Sequence, residues 1–455
     1  MHGQESRQTN GEHPSYGSMV SLSRMHLRTA QSSEKPSQTG RPGVASPAPS
    51  RVGFLDRRLL RFILGKAGNP PIRVVLWNGE EVSSAPGHPV SRVWLRDRGA
   101  LWRMLANLRL GFGDAYSAGS LEVEGDLVGF LETVYRASST PAAHGRLSRR
   151  LARWLHRRRR NSLSGSKQNI HHHYDIGNDF YRLWLDERMV YTCAYFADPA
   201  MGLEDAQLAK MDHVSRKLRL QPGQRVIEAG CGWGALALHM ARHYGVGVRA
   251  FNISREQIAY ARSRARAEGL ADRVEFVEDD YRNITGRCDA FVSVGMLEHV
   301  GPEHYRALGG VIQRCLRPAG LGLIHSIARN QPAATDPWLE RRIFPGGYMP
   351  ALREMMAVLE PWNLSVLDVE NLRLHYAKTL EHWLKRFERV ADRVEQMFDR
   401  RFVRMWRLYL ASSLAAFTTG STQLFQVVFA HGDNNAVPWS RAHLYAAQRR
   451  VESSG

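Results

Sequence analysis

Residues 226–236 combine an acidic side chain with closely spaced glycines, a pattern suited to holding a nucleoside ligand. The segment reads VIEAGCGWGAL, in which Glu228 follows a short apolar strand and the glycines precede an apolar, helix-forming run. Glycine lets the backbone turn sharply and approach a ligand closely, because it has no Cβ. The G-x-x-G step that places a pyrophosphate at a helix start is missing. The pattern therefore predicts binding of S-adenosylmethionine, which carries an amino group and a ribose, with tight packing as the alternative.

Other polar side chains fall where further strands are predicted to end. Asp279 follows a third strand, Glu298 follows a fourth, and His325 ends a fifth. Ligands of parallel α/β sheets bind beyond the carboxyl ends of the strands. We therefore expect these three residues and Glu228 to lie in one cleft, with Asp279 accepting from an adenine amino group.

The second strand, predicted at residues 246–253, lacks the acidic end residue that binds ribose hydroxyls in many nucleotide-binding folds. Asn252, Ser254 and Gln257 stand there instead. Neutral polar groups are therefore expected to bind the ribose, while Ser254 also suits the N-cap of a helix over residues 255–268.

Alternating strands and helices must position these side chains. Strands are predicted at residues 274–277, 290–294, 320–325 and 422–430, and a helix at 201–218 leads into the central strand. This alternation predicts an α/β fold, a Rossmann-like and mostly parallel sheet with helices on both faces. Residues 329–418 interrupt the alternation and are apolar and aromatic. They are interpreted as a helical cap insertion that forms a pocket for an apolar substrate or completes the core.

The chain outside this sheet divides by composition. Residues 1–53 are rich in Ser, Gly, Pro, Gln and Arg and are expected to be a disordered basic tail. Residues 54–145 are predicted to form a small mixed domain for lipid or partner binding, with a helix at 101–110 and a glycine-rich loop and short strand at 111–126. A basic amphipathic linker at 146–167, a catalytic domain at 168–440 and a tail at 441–455 complete the prediction.

Composition limits the class of protein. No apolar run is long enough to cross a bilayer, and no secretory signal is recognised, so a cytoplasmic protein is expected. The four cysteines show no C-x-x-C spacing, and the adjacent histidines at 171–173 lack H-x-x-x-H spacing, so no metal site is predicted. The net charge of +18 favours a polyanionic surface, either nucleic acid or anionic lipid.

Residues 146–160, RLSRRLARWLHRRRR, place an apolar stripe among arginines at helical spacing. Such a helix can lie on an anionic membrane. A solvated linker helix that packs on its own protein is an equal alternative. A nucleic-acid arm is disfavoured, because base-stacking aromatic residues are scarce around it.

Eight motifs in order resemble one family: HYDIGNDFYRLWLD, YTCAYF, VIEAGCGWG, SVGMLEHVGPEHY, IHSIARN, IFPGGYMP, LHYAKTLEHW and QLFQVVFA. Over residues 169–430 the chain is similar to the cyclopropane-fatty-acyl-phospholipid synthases and the mycolic acid cyclopropane synthases. The resemblance implies transfer of a methyl group from S-adenosylmethionine to a cis double bond of a membrane phospholipid. It also implies a bound bicarbonate ion as base.

The resemblance carries over to individual residues. It assigns bicarbonate binding and catalysis to Cys193, Glu298, His325, Ile327 (through its backbone) and Tyr376. It assigns the cofactor site to Tyr174, Tyr191, Thr192, Glu228, Gly230, Gly232, Trp233, Gly234, Asn252, Gln257, Asp279 and Asp280. Aromatic faces that could stabilise a carbocation are Tyr174, Tyr191, Trp233, Phe344 and Tyr348. The chain departs from the family pattern at Glu228, where aspartate is common, at Asp279, and at Ser413, where some relatives have cysteine.

The function expected from these residues is a methyltransferase at the inner face of the cell membrane that cyclopropanates phospholipid acyl chains. A homodimer is left open, and nucleic acid is not an expected partner. An enzyme making methyl-branched or methylene chains shares the first step and is the nearest alternative. A small-molecule methyltransferase is disfavoured by the apolar insertion, and a nucleic-acid-binding protein is supported by charge alone.

Overall fold

The computed structural model describes residues 51–84, 89–138 and 176–445, which belong to the compact unit Pro49–Gly455. Most of the predicted basic tail, the amphipathic linker, the adjacent histidines and Tyr174 lie outside the described residues. None of the helices in the described ranges combines the length and apolar character that a membrane crossing requires.

The N-terminal domain is a small mixed sheet with helices. Its elements are α1 (Phe54–Lys66), β1 (Ile72–Val75), β2 (Glu81–Ser83), β3 (Ser91–Leu95), α2 (Arg98–Ala106), α3 (Leu108–Ser117), β4 (Leu121–Glu124) and α4 (Leu127–Ser138). The strand order is β2-β1-β3-β4, with β1 and β3 parallel and the other pairs antiparallel.

The predicted loop over residues 111–126 is wrong in its first half, which forms α3. Asn107 interrupts the predicted helix at 101–110, and its side chain caps α3 by accepting from the Leu110 N–H at 3.0 Å. Gly111 and Gly113 serve packing within this helix. A Cβ on Gly111 would lie 2.3 Å from the Arg103 backbone, and one on Gly113 would lie 2.3 Å from the Trp338 ring. These glycines therefore allow close helix contacts.

The larger domain is built on a seven-stranded sheet of order β10-β11-β9-β8-β5-β6-β7. Its strands are β5 (Arg225–Ala229), β6 (Gly247–Asn252), β7 (Val274–Glu278), β8 (Cys288–Val294), β9 (Leu316–Ala328), β10 (Leu364–Asn371) and β11 (Gln423–His431). Strands β5 to β9 pair in parallel, and β11 lies antiparallel between β9 and β10. The predicted Rossmann-like, mostly parallel sheet is confirmed.

Helices flank this sheet and follow its strands. They are α5 (Asn178–Arg182), α6 (Leu203–Lys217), α7 (Ala235–Tyr244), α8 (Arg255–Ala267), α9 (Leu297–Val300), α10 (Tyr305–Cys315), α11 (Pro337–Arg342), α12 (Leu352–Met355), α13 (Arg373–Arg389), α14 (Ala391–Met397), α15 (Arg400–Thr418) and α16 (Ala442–Tyr445). The last of these begins within the predicted tail at 441–455, so that tail is not wholly irregular.

The predicted helical insertion at 329–418 is not wholly helical, because it contains β10. This edge strand reads LSVLDVEN, and only its first residue, Leu364, is buried. It lacks the apolar run or clear alternation that identifies a strand in sequence. The insertion therefore supplies an edge of the main sheet as well as the helices that cover it.

The N-terminal domain packs on α15, and the two domains share one hydrophobic core. Arg404 of α15 is buried and donates to the carbonyl oxygens of Tyr116 (2.6 Å) and Leu121 (3.0 Å). It also pairs with Glu122 at 3.0 Å. This arrangement fixes α3 and β4 of the small domain against the cap.

Candidate active site

A cavity of about 2960 Å³ lies at the carboxyl ends of β5, β6, β8 and β9. Side chains of α13 and α15 and the segment 329–349 form its other walls. Pockets for drug-sized ligands usually occupy about 300–1,000 Å³. The cavity therefore has room for a nucleoside ligand and a long second substrate together.

The glycine-rich turn after β5 forms part of the cavity floor. Gly230, Gly232 and Gly234 have φ values of +86°, +53° and +84°, which favour glycine. A Cβ on Gly230 would lie 2.8 Å from the Met296 side chain, whereas one on Gly232 would meet nothing within 4 Å. Gly232 lines the cavity, so its backbone is open to close approach by a ligand.

Glu228 lies at the end of β5 and is buried in the cavity wall. Its Oε2 has no hydrogen-bond partner among the described residues. Burial raises the pKa of this carboxyl to about 7, an effect that the charge of Lys210 partly opposes. A carboxylate held in this way is suited to accept hydrogen bonds from a ligand ammonium group.

Lys210 is a cavity residue that the sequence interpretation missed. It is buried on α6, and its Nζ donates to the Thr192 hydroxyl at 3.0 Å. Burial lowers its pKa to about 8, although the charges of Asp186 and Glu228 raise it. The available signal was helical spacing, since Gln207, Lys210 and Lys217 share the buried face of α6.

Asn252 and Gln257 meet at the end of β6. The Asn252 amide donates to the Gln257 side-chain oxygen at 2.7 Å, and both residues line the cavity. Neutral amides thus stand at the place predicted for ribose binding, and their role there stays a prediction.

Asp279 and Asp280 do not line the cavity with Glu228, Glu298 and His325. Asp279 accepts from the Asp280 N–H at 2.7 Å and from the Asn283 amide at 2.8 Å. Asp280 caps a short 3₁₀ helix and pairs with Arg282. Asp279 is therefore not placed in the cavity wall with the other three strand-end groups, and its carboxylate and that of Asp280 stabilise the turn after β7. The cofactor role assigned to both residues stays a prediction.

The five residues assigned to bicarbonate all line the cavity: Cys193, Glu298, His325, Ile327 and Tyr376. Glu298 Oε1 accepts from the Ile327 N–H at 2.6 Å, and its Oε2 has no partner among the described residues. Burial raises the pKa of Glu298 to about 7. Burial also raises the pKa of the Cys193 thiol, which keeps it protonated while it donates to the Ala194 carbonyl at 3.1 Å.

A hydrogen-bonded chain fixes the protonation of His325. Lys217 Nζ donates to Gln426 Oε1 at 2.7 Å, so the Gln426 amide nitrogen must face His325 Nδ1 at 3.1 Å and donate to it. Burial lowers the pKa of His325 to about 3, so the ring is neutral. Its proton therefore lies on Nε2, which can donate to an anion. Glu370 completes the chain by accepting from Lys217 at 2.6 Å.

Gln426→Leu is expected to lower kcat by about tenfold. This is the lower end of the effect seen when a residue that orients a functional histidine is removed. The variant removes the donor that holds the His325 tautomer, without touching the cofactor residues. ¹⁵N NMR of the histidine rings would show Nε2–H in the wild type and loss of that fixed tautomer in the variant. An unchanged His325 signal, or an unchanged kcat, would remove Gln426 from this role.

Because Glu298 is buried, the free energy of unfolding should depend on pH. Its pKa rises from 4.5 in the unfolded chain to about 7, so the folded protein binds more protons between these values. Its contribution therefore falls as pH rises through this window. Glu298→Gln should stabilise the protein at pH 8 by on the order of 2 kcal/mol and have little effect near pH 5. Denaturant unfolding at both pH values tests this, and equal changes would contradict it.

Aromatic side chains line the cavity beside these polar groups. Tyr191 and Tyr409 share a hydrogen bond of 2.8 Å between their hydroxyls, and the rings of Phe344 and Tyr409 lie 5.5 Å apart. Trp233 donates to Asn178 at 2.7 Å, and Tyr348 donates to Glu354. Tyr409 was not predicted, because its helix pattern did not distinguish a core residue from a cavity residue.

Comparison with known proteins now identifies the family. The model of the mycolic acid cyclopropane synthetase family matches residues 161–427. The chain belongs to this family. Residues 59–144 match a separate domain of unknown function. The predicted family resemblance is confirmed, and the protein is an S-adenosylmethionine-dependent methyltransferase.

Two curated relatives extend the similarity. A "Probable fatty acid methyltransferase" of Pseudomonas putida is 35% identical over 82% of this chain and 96% of its own length. The "Cyclopropane-fatty-acyl-phospholipid synthase" of Escherichia coli strain K12 is 40% identical over 59% of this chain and 69% of its own. The solved mycolic acid cyclopropane synthase CmaA1, complexed with SAH and CTAB, aligns with a TM-score of 0.55 and 27% identity. That alignment covers 58% of this chain and 97% of CmaA1.

The residues at the end of β5 fit S-adenosylmethionine. Glu228 offers the amino group a carboxyl oxygen that has no partner among the described residues, and Gly232 leaves open space where a Cβ would stand. Thr192, Asn252 and Gln257 supply neutral hydrogen-bonding groups in the same cavity. The cavity of this protein therefore offers groups that match the predicted cofactor, S-adenosylmethionine.

Proposed function

We propose that the protein converts the cis double bond of an unsaturated phospholipid acyl chain into a cyclopropane ring, with bicarbonate as base. The observation that carries this proposal is the meeting of Glu298 and His325 in one cavity. Within the described part of the chain Glu298 has a carboxyl oxygen without a partner, and His325 is held as a neutral Nε2–H donor. A proton-bearing anion needs an acceptor for its O–H and donors for its other oxygens, and this pair offers both.

S-adenosylmethionine would supply the methyl group. Bicarbonate would act as the base that takes a proton from this methyl group, which allows the ring to close. Glu228 and the glycine-rich turn would hold the first ligand. Glu298 and His325 would hold the second, with Cys193, Ile327 and Tyr376 around them. The Ile327 N–H, by donating to Glu298, fixes the direction of that carboxyl. Positioning a base in this way contributes to catalysis beyond its basicity.

The walls of the cavity suit a reaction that develops positive charge on an acyl chain. Water would trap such a charge, so the site must exclude it. Tyr191, Trp233, Phe344 and Tyr409 line the cavity with aromatic faces that can stabilise a cation. Ser413 also lines it, so no thiol nucleophile acts from that position.

A methyl-branched or methylene product is the second candidate, favoured by the name of the Pseudomonas putida relative. It differs in which proton leaves the chain. Fatty-acid mass spectrometry of a host that lacks such lipids, with and without the gene, tests both. A gain of one methylene with no remaining double bond supports the ring. The same gain with the double bond retained supports a methyl branch or methylene at the expense of the ring.

The proposed location is the inner face of the cell membrane, with the net charge of +18 attracting anionic lipid. Replacing Arg157–Arg160 with glutamine is expected to weaken binding to anionic vesicles by tenfold or more, since each basic residue near such a surface contributes about 1 kcal/mol. Vesicle co-sedimentation at two salt concentrations measures this. Equal binding by the variant and the wild type would assign the segment to the linker interpretation.

A further inference from the structure

One wall of the cavity is built jointly by the two domains. The N-terminal domain contributes Arg109 from α3 and Tyr135 from α4. The catalytic domain contributes Arg329 and Asp336 from the segment that follows β9. A domain with no assigned function thus places a cation directly in the cavity of the methyltransferase.

Among the described residues, the positive charge of Arg109 has one salt-bridge partner, Asp336. Asp336 Oδ2 lies 3.7 Å from Arg109 Nη1, beyond hydrogen-bond distance. Its Oδ1 is already committed to the start of α11, where it accepts from the N–H groups of Trp338 and Leu339. Asp336, which is partly occupied by helix capping, therefore balances the charge of Arg109 only in part, and Glu340 of α11 is a further carboxylate that lines the cavity.

Arg329 has no carboxylate partner among the residues that the structure describes. Its Nη1 donates to the Ala334 carbonyl at 2.8 Å, which is neutral. Burial lowers the pKa of Arg329, and the nearby charge of Arg109 lowers it further. Two guanidinium groups facing one cavity repel each other, and an anion bound between them would relieve this.

We propose that Arg109 and Arg329 bind the phosphate group of the phospholipid substrate, which makes the N-terminal domain part of the substrate site. Guanidinium groups bind phosphate oxygens through paired, charge-assisted hydrogen bonds. This inference rests on the proposed function, because it assigns the headgroup of the lipid whose acyl chain reacts. Tyr135 borders the same site, and burial raises its pKa to about 12, so its hydroxyl stays protonated and can donate.

The test compares two substrates in the same neutral detergent micelles: an unsaturated phosphatidylglycerol and the matching uncharged diacylglycerol. For Arg109→Met, the ratio of kcat/KM for phosphatidylglycerol to that for diacylglycerol should fall by about tenfold or more. Arg109→Lys should recover part of this ratio, since it keeps the charge but loses the fork. Arg329→Met should give the same direction of change.

Arg342→Met is the matched control. Arg342 joins the same two domains by pairing with Asp114 at 3.0 and 2.9 Å, but it does not line the cavity. The control should keep the wild-type substrate ratio. An equal fall of this ratio in the control would overturn the proposal. So would an equal loss of kcat/KM for both substrates in Arg109→Met, which would show that Arg109 only joins the two domains.

Binding without turnover separates this inference from the proposed reaction. Calorimetry with a soluble, short-chain phosphatidylglycerol should show about tenfold weaker binding for Arg109→Met than for the wild type and the control. If the protein forms no lipid product at all, this measurement still tests the site. Inorganic phosphate alone is the remaining probe. If inorganic phosphate competes with the lipid for the wild type but not for Arg109→Met, the site binds phosphate in general. If Arg109→Met weakens lipid binding but inorganic phosphate does not compete, the site is specific for the phosphodiester of the lipid.

Discussion

Glu298→Gln is expected to lower turnover by about 10²-fold or more while leaving the affinity for S-adenosylmethionine near its wild-type value. Glutamine keeps the shape of the side chain and the bond from the Ile327 N–H. It cannot offer two acceptor oxygens, so the unpartnered position of Glu298 would carry an amide donor instead. That donor would repel the O–H of a bound bicarbonate.

The measurement pairs single-turnover kinetics with calorimetric titration of S-adenosylmethionine. Glu278→Gln is a matched control, because Glu278 is exposed at the end of β7 and does not line the cavity. Wild-type turnover in Glu298→Gln would remove this carboxylate from the reaction. Loss of cofactor affinity together with turnover would show that the substitution disturbs the whole cavity.

Glu228→Gln should have the opposite profile. The Kd for S-adenosylmethionine is expected to rise by roughly 10- to 100-fold, since a hydrogen bond between a buried carboxylate and an ammonium contributes about 1.5–3 kcal/mol. The variant also removes one of the negative charges that act on the buried Lys210, while Asp186 remains. Turnover at saturating cofactor should fall much less than affinity.

Calorimetric titration measures this change, with Glu278→Gln again as the control. An unchanged Kd would mean that Glu228 serves the fold rather than the ligand. The two substitutions together separate cofactor binding from base function, because each should impair one and spare the other.

The sheet was predictable because its inner strands β5 and β8 are buried on both faces and its parallel strands end at recognisable polar or glycine residues. The bounds of β5 to β8 lie close to those predicted. Two local predictions failed for identifiable reasons. Gly111 and Gly113 look like loop residues, but they allow tight helix packing in three dimensions. The edge strand β10 is too exposed to show a strand pattern.

The candidate site was predictable where its residues end strands or match a family motif. Glu298 and His325 were expected in one cleft because they follow strands, and the structure brings them into one cavity, whereas their assigned roles came from the resemblance. The series of hydrogen bonds that orients His325 was not predicted from the sequence, because Gln426 and Glu370 come close to it only through the register of the strands. Gln426 lies opposite His325 on one side and opposite Glu370 on the other. Sequence spacing contains no information about such partners.

Ring closure is the central claim, and isotope transfer tests it most directly. The purified protein would be supplied with unsaturated phospholipid, bicarbonate and S-adenosylmethionine that carries a fully deuterated methyl group. Formation of a ring removes one deuteron from that methyl, so the product should retain a CD₂ bridge and show no alkene signal by NMR. A product that retains the whole CD₃ group, or a CD₂ group on a remaining double bond, would contradict the account.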